Sequence, residues 1–256
     1  MASRVCPYCQ GLNGETEVHC YRCGKRLPGP LGTGVLSLVR DVLGAEAPMT
    51  KLIIAMELVV FGLCALVDGK LPLGLGGFRL STNIRFGALL GPLLADEPWR
   101  LLSACFMHAG LIHVGMNMYM FASLGAQLER EFGSARASLI FLWSGILGYV
   151  GTVIWRGDHA FSVGASGGVF GQVGAVIGVL VARRDPIWKK ALVQMLIYAA
   201  LLTLALGQVD TAAHLGGFFA GIGLGLGFHV ELRKLRLHRT AAVLTALMLV
   251  ASVTSV

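Results

Sequence analysis

Apolar runs alternate with short polar connections along the chain from residue 51 to its end. A helix needs about 20 apolar residues to cross the hydrocarbon core of a bilayer, so runs of this length predict transmembrane helices. The predicted spans are Lys51–Val67, Leu101–Leu128, Ser138–Trp155, Ser166–Val181, Ile187–Leu206, Ala212–Phe228 and Thr240–Val256. The pattern therefore predicts an all-α polytopic membrane protein with a six-helix bundle and a seventh, C-terminal transmembrane helix.

Two connections differ from the short loops between the spans. Residues 29–50 form a Gly- and Pro-rich linker, in which a weakly amphipathic piece from Val35 to Leu43 is expected to lie on the membrane surface. Residues 68–99 join the first two spans and are too polar to cross a bilayer, although leucines are scattered through them. We expect this long loop to be structured and partly inserted into the interface.

Two of the predicted spans carry small residues at helical spacing. In the fourth span one face consists of Gly167, Gly171, Gly174 and Gly178. In the sixth span one face consists of His214, Gly217, Gly221 and Gly225. Faces of small residues let helix backbones approach closely inside membranes. If these two faces pack together, the helix backbones approach near contact, and Ser166 and His214 can meet at one end of the pair.

The composition supports a membrane protein. Hydrophobic residues make up 55% of the 256 residues and charged residues 14%, and the mean hydropathy is +0.71. Soluble domains carry about 25% charged residues. The net charge of +7 raises the possibility of nucleic-acid binding. However, no basic run is interleaved with aromatic residues, so we expect no nucleic-acid partner and take the lipid bilayer as the environment of the chain.

The distribution of Lys and Arg predicts how the chain is oriented in the membrane. Basic side chains concentrate in the loops after the second, fourth and sixth spans, and few lie in the loops on the other side. We therefore expect a cytoplasmic N-terminus and an external C-terminus. Our localisation prediction is a bacterial inner (plasma) membrane. No signal peptide follows Met1, so the first span is expected to direct insertion. Ser166 and His214 then both lie near the outer face.

Four cysteines near the N-terminus form two CxxC pairs ten residues apart, namely Cys6, Cys9, Cys20 and Cys23. Two such turns can complete the tetrahedral thiolate set of a structural zinc site. Two disulfides or a redox site are the alternatives, although a redox motif needs only one CxxC pair and the cytoplasmic side is reducing. We interpret His19 as a bystander because four cysteines already fill the site. The predicted zinc-ribbon-like module covers residues 1–28.

Polar side chains inside the predicted spans are the candidates for chemistry. Ser166 and His214, far apart in the sequence, suggest a nucleophile and its base. His113 and Asn117 are four residues apart in the second span, so they share one helical face. Together with the backbone N–H of Ser166, at a helix start, they could donate hydrogen bonds to an oxyanion. The alternative is that His113 and Asn117 hydrogen-bond neighbouring helices.

The sequence offers more than one role for two further polar residues. His108 also lies in the predicted second span, and either a role at the edge of the site or simple packing is compatible with its position. Asp210 precedes His214 by four residues and is interpreted as a loop or capping residue. No carboxylate is placed to complete a triad, so a Ser166–His214 dyad is the simplest scheme.

Taken together and in this order, these residues resemble the rhomboid family of intramembrane serine proteases. The resemblance runs from Trp99 to about Phe228. It is carried by Trp99-Arg100, by His108, His113 and Asn117, by Gly125-x3-Glu129-x3-Gly133-Ser134, by Gly164-Ala165-Ser166-Gly167, and by Ala213-His214-x2-Gly217-x3-Gly221. Each motif is weak by itself, and the set in this order is specific.

The resemblance implies a six-span catalytic core at residues 51–230, with a basic loop and the seventh helix at residues 231–256. It implies that Ser166 is the nucleophile and His214 the base of a serine endopeptidase that needs no cofactor for catalysis. His113, Asn117 and the Ser166 amide would form the oxyanion site.

The expected partners are single-pass transmembrane proteins, which family members cleave near the outer end of the span after small residues. Phe170 departs from the pattern, since some bacterial members have a tyrosine that stacks on the histidine at this position. Phenylalanine keeps the ring and loses the hydroxyl, so stacking is expected to survive.

Two other functions are alternatives to the protease. A catalytically inactive rhomboid-like protein that binds membrane clients would be expected to lack the serine or the histidine, and both are present. A transporter or channel would be expected to show inverted repeats or broken helices in matching halves. The sequence shows neither, so an intramembrane serine protease is the function that the sequence predicts.

Overall fold

The computed structural model of the chain describes residues 3–6, 8–14, 17, 19–25, 27, 42–43, 46–73, 77–206 and 209–232. The chain divides into two compact units, Met1–Ala45 and Glu46–Val256. Most of the predicted linker and its amphipathic piece, the basic loop from residue 233 and the predicted seventh span lie outside the described residues.

The first unit contains a small antiparallel hairpin. Strand β1 (Ser3–Val5) pairs with β2 (Leu12–Gly14), and Val5 lies opposite Leu12. Cys6, directly after β1, is completely buried and packs with Cys20 and Leu27 in the small core of this unit.

The second unit is a helical bundle. Its long helices are α1 (Pro48–Asp68), α4 (Leu111–Phe132), α5 (Ser134–Arg156), α6 (Ser166–Ala182), α7 (Trp188–Leu206) and α8 (Thr211–Leu232). Two short helices, α2 (Leu80–Arg85) and α3 (Arg100–Ser103), lie between α1 and α4. The main core lies between α1, α4, α5 and α6 and the short segments beside them.

Three helical segments of the described chain are long and apolar enough to cross a membrane, namely Pro48–Asp68, Ser134–His159 and Thr211–Glu231. A fourth is added if Arg100–Phe106 and Leu111–Phe132, which meet at an angle of 94°, form one span. The fourth predicted span corresponds to α6, which has only 17 residues. Thirteen of its 17 residues are buried, so protein rather than lipid surrounds most of α6.

The predicted second span, Leu101–Leu128, is not one continuous helix. The long helix begins at Leu111, and Arg100–Ser103 and the 3-10 turn Ala104–Phe106 form a separate segment. Backbone contacts set this break, because the N–H of Leu111 donates to the carbonyl of Pro72 at 2.9 Å. The apolar composition continues across the break and hides it from the sequence pattern.

The long loop between the first two spans is structured, as predicted. The Arg100 guanidinium donates to the backbone carbonyls of Ile84 and Ala88 at 2.9 and 3.0 Å. Strand β3 (Leu89–Leu90) then pairs antiparallel with β4 (Phe161–Ser162). This short ladder connects the loop to the segment that leads into α6.

Helices α6 and α8 pack through their glycine faces, the arrangement that would let Ser166 and His214 meet at one end of the pair. A Cβ built at Gly217 would collide with the carbonyl oxygen of Gly167, and one at Gly221 with that of Gly171. A Cβ at Gly225 would lie 2.7 Å from Cα of Ala175. Main-chain atoms therefore meet along the interface, and the N-terminal ends of both helices lie together.

Candidate active site

Ser166 and His214 are brought together at the adjoining ends of α6 and α8. Ser166 is the first residue of α6, and His214 lies in the first turn of α8. The distance from Ser166 Oγ to His214 Nε2 is 2.8 Å, a hydrogen-bonding distance. Both side chains are buried. The nucleophile and the base that were predicted from two separate segments are therefore in contact.

Gly164, two residues before Ser166, sets the backbone conformation of the segment that leads into α6. Its φ of +133° lies in a region that only glycine adopts readily, and a Cβ there would lie 2.7 Å from Cε1 of His113. The Gly164 N–H donates to the carbonyl of Ala104 at 2.9 Å, and the Tyr149 hydroxyl donates to the Gly164 carbonyl at 2.8 Å. These bonds fix the backbone immediately before the serine.

His113 lies with its ring edge against Gly164. Its Nδ1 accepts a hydrogen bond from the backbone N–H of Ala109 at 3.4 Å, which favours the tautomer that carries its proton on Nε2. The Cε1–Nε2 edge is the one that faces Gly164. The structure thus directs an N–H donor of His113 toward the segment that carries Ser166.

Asn117 lies one turn after His113 and is fully buried. Its Nδ2 donates to the carbonyl of His113 at 3.0 Å, which uses one of the two amide hydrogens. Its Oδ1 has no hydrogen-bond partner among the described residues. Asn117 therefore shares the helical face of His113 and keeps one donor hydrogen for another acceptor.

Phe170 and Asp210 contact the α8 end of the site. The Phe170 ring stacks on the His214 imidazole, as the sequence predicts. Asp210 caps α8, since its Oδ1 accepts from the Ala213 N–H at 3.1 Å and its Oδ2 from the Thr152 hydroxyl at 2.7 Å. Within the described residues no carboxylate hydrogen-bonds the His214 ring, in keeping with a two-residue scheme.

His108 and Glu57 are the residues that the sequence analysis misplaced or missed. His108 is not in a helix, because it lies between Phe106 and Leu111 where the chain turns; it is buried beside His113. Glu57 of α1 was missed, and it is also fully buried. Its position in the sequence could have identified it, because Glu57 is the one acidic residue in the predicted first span, Lys51–Val67.

Comparison with known proteins identifies the family. The rhomboid domain model matches residues 95–231, more than half of the chain, and this range contains both Ser166 and His214. The chain belongs to the rhomboid family. Its long apolar helices and this membership make it an integral membrane protein.

Several curated rhomboids are similar to the chain. RHOMBOID-like protein 7 of Arabidopsis thaliana is 40% identical over 151 residues, which cover 57% of this chain and 48% of that protein. Rhomboid protease GluP of Bacillus subtilis is 32% identical over 186 residues, covering 69% and 35%. Rhomboid-type serine protease 2 of Emericella nidulans is 34% identical over 156 residues, covering 59% and 31%. The chain thus spans about half or less of the length of these relatives.

The four-cysteine cluster lies outside the part matched by the rhomboid domain. Its four Sγ atoms all lie within 4.8 Å of one another, with 3.7 Å between Cys6 and Cys23 and 3.5 Å between Cys9 and Cys20. Tetrahedral zinc with Zn–S bonds of about 2.3 Å requires Sγ atoms about 3.8 Å apart, so the donor set fits zinc. His19 does not belong to this cluster.

The two cysteine turns share one backbone design. The N–H of the first cysteine bonds to the carbonyl five residues later (Cys6 to Gly11, Cys20 to Lys25), and its own carbonyl accepts from the N–H four residues later. Burial opposes ionisation of Cys20, but hydrogen bonds from the Cys23 and Arg22 backbone and from the Cys9 and Cys6 side chains outweigh it and lower the pKa of this thiol to about 6. For Cys9 the balance is the reverse, because the Gly11 backbone hydrogen bond is outweighed by burial and the three neighbouring thiols, which raise its pKa to about 12. The shared turn design and the Cys20 pKa favour thiolate ligands.

Proposed function

We propose that this rhomboid is an intramembrane serine endopeptidase with Ser166 as nucleophile and His214 as base. The observation that carries the proposal is the 2.8 Å contact between Ser166 Oγ and His214 Nε2, buried at the adjoining ends of two apolar helices. Inside a bilayer such polar residues are costly, so they are kept where they pair and act. Two similar proteins are named as rhomboid proteases, which supports the same chemistry here.

In the proposed reaction, Ser166 Oγ transfers its proton to His214 Nε2 and attacks the carbonyl carbon of the scissile bond. The imidazolium then gives this proton to the leaving amine, and an acyl-enzyme ester remains. Water, deprotonated by His214, attacks the ester, and the proton returns to Ser166. Phe170 holds the imidazole from one face throughout these steps.

The oxyanion of each tetrahedral intermediate needs donors placed in advance. The Ser166 N–H belongs to the first turn of α6, where backbone N–H groups have no intrahelical acceptor. His113 presents its Nε2–H beside Gly164, and Asn117 has an amide hydrogen to spare. We assign these three donors to the oxyanion site.

The proposed substrates are single-pass transmembrane proteins, cut near the outer face of the plasma membrane. The basic loops support a cytoplasmic N-terminus, and both reacting residues lie at the helix ends that this orientation places outside. We also propose that residues 1–28 hold one structural Zn²⁺ through Cys6, Cys9, Cys20 and Cys23. This metal supplies folding energy to the module and takes no part in peptide cleavage.

A fluorophosphonate, which reacts with activated serines, tests the catalytic proposal. We expect the reconstituted protein to be labelled and to cleave single-span model substrates, and Ser166→Ala to lose both properties. Ser123→Ala is the matched control, because Ser123 lies exposed on α4 and its hydroxyl donates to the Tyr119 carbonyl of the same helix. Equal labelling of wild type and Ser166→Ala would overturn the proposal. A wild type that binds substrates without cleaving them would instead favour the inactive, client-binding alternative.

A further inference from the structure

Glu57 and His108 form a buried pair in the core of the bundle, behind the site. Glu57 projects from α1, and its carboxylate Oε2 lies 4.0 Å from Nε2 of His108. Both side chains are inaccessible to solvent. Within the described residues, neither carboxylate oxygen and neither ring nitrogen has a hydrogen-bond partner. Four orphaned polar atoms thus lie together in an apolar core.

The other titratable groups around Glu57 are already engaged. The Cys105 thiol and the Tyr149 hydroxyl both interact electrostatically with the carboxylate. The thiol, however, donates to the Leu101 carbonyl at 3.5 Å, and the hydroxyl donates to the Gly164 carbonyl at 2.8 Å. Among the described residues, His108 is therefore the group left to satisfy Glu57. A small side-chain rotation or one bridging water closes the 4.0 Å gap.

His108 connects this pair to the site. Its ring meets the ring of His113 edge to face, with centroids 5.1 Å apart and planes at 74°. His113 in turn lies against Gly164, two residues before Ser166. The side chains Glu57, His108 and His113 thus form a continuous series of contacts from α1 to the proposed oxyanion site.

We propose that Glu57 and His108 share a single proton, and that Glu57 is thereby a positioning residue for His113. An unpaired carboxyl group or imidazole in an apolar core carries a large desolvation penalty. When the two share one proton, each provides a hydrogen-bond partner for the other and this penalty falls. The pair fixes the His108 ring, and this ring holds the His113 ring in the orientation that points Nε2–H toward the nucleophile segment. The inference rests on the proposed protease function.

The test compares single and double variants of the reconstituted protein. Glu57→Leu and His108→Leu each leave one unpaired polar group, so both should lower the melting temperature and reduce kcat about 10- to 100-fold with KM unchanged. In the double variant the two leucines replace the pair with apolar groups, so the melting temperature should recover at least in part. We expect kcat to stay low, because the ring that orients His113 is still absent.

Leu58→Ala is the control, since Leu58 follows Glu57 on α1 but is half exposed, whereas Glu57 is fully buried. It should keep the wild-type kcat. The inference is overturned if Glu57→Leu retains kcat, or if the double variant recovers kcat together with its melting temperature. Should the single variants fail to fold, the double variant decides alone. Wild-type protein that shows no cleavage contradicts the proposed function instead, so the two failures are distinguishable.

Discussion

The ring of Phe170 lies flat against the imidazole of His214, with centroids 4.3 Å apart and planes inclined by only 10°. Phe170 follows Ser166 by four residues on α6, so it rises from the same helical face as the nucleophile. Its other side contacts Tyr198 of α7, with centroids 6.1 Å apart. The proposed base is thus held by its hydrogen bond at one edge and by an aromatic ring on one face.

Replacing Phe170 with leucine should weaken catalysis moderately. Aromatic stacking contributes about 0.5–1.5 kcal/mol beyond the burial of area, so we expect kcat of Phe170→Leu to fall roughly 3- to 10-fold. Phe170→Tyr keeps the ring and should retain most of the activity. Steady-state kinetics on a single-span substrate measures both effects. Equal kcat values for the leucine variant and wild type would show that the stacking does not orient His214.

Asn117→Ala should separate nucleophile activation from oxyanion stabilisation. Loss of one oxyanion donor typically lowers kcat about 100- to 1,000-fold, equivalent to about 2.7–4 kcal/mol. Ser166 and His214 remain intact in this variant, so fluorophosphonate labelling should persist in part. Parallel assays of cleavage and labelling provide the measurement. Cleavage at the wild-type rate would exclude Asn117 from the oxyanion site.

Two glycines of α8 should respond in opposite ways to alanine. In Gly217→Ala the new methyl group would meet the Gly167 backbone, whose carbonyl carbon lies 2.8 Å from the ideal Cβ position. Overpacking of this kind costs about 1–3 kcal/mol or more, so the melting temperature and Ser166 labelling should both fall. In Gly223→Ala the methyl enters open space, and the helix gains about 0.5–1 kcal/mol. Thermal unfolding of the two variants in detergent compares them directly.

Protein purified under reducing conditions should contain one zinc per chain. Cys20→Ser removes a ligand and should lower the metal content well below one, whereas Cys64→Ala should leave it unchanged because Cys64 is buried in α1. Elemental analysis of the three proteins provides the readout. If the wild type contains no zinc, the cysteine cluster has another role.

The sequence predicted the features that depend on spacing along one helix. The glycine periodicity of α6 and α8 indicates which faces meet. Small residues at i and i+4 leave a groove on the helix surface, and this groove depends only on the residues of that helix. Ser166 and His214 head those two faces, so their proximity followed from the same pattern. The capping role of Asp210 was also predictable, since it lies directly before Thr211, the first residue of α8.

Features that depend on tertiary contacts were not predictable from the pattern. The break before Leu111 occurs inside apolar sequence and is set by a backbone bond to Pro72. His108 was therefore placed in a helix that does not contain it. The partnership of Glu57 with His108 joins residues 51 positions apart, and no local periodicity relates them.

The contact of α6 with α8 through bare backbone has a mechanical consequence. Side chains can rotate to let helices slide, whereas two main chains in contact have no such freedom. We therefore expect the segments bearing Ser166 and His214 to move together. If transmembrane substrates enter the bundle as proposed, other helices would have to separate, and the reacting pair would keep its alignment.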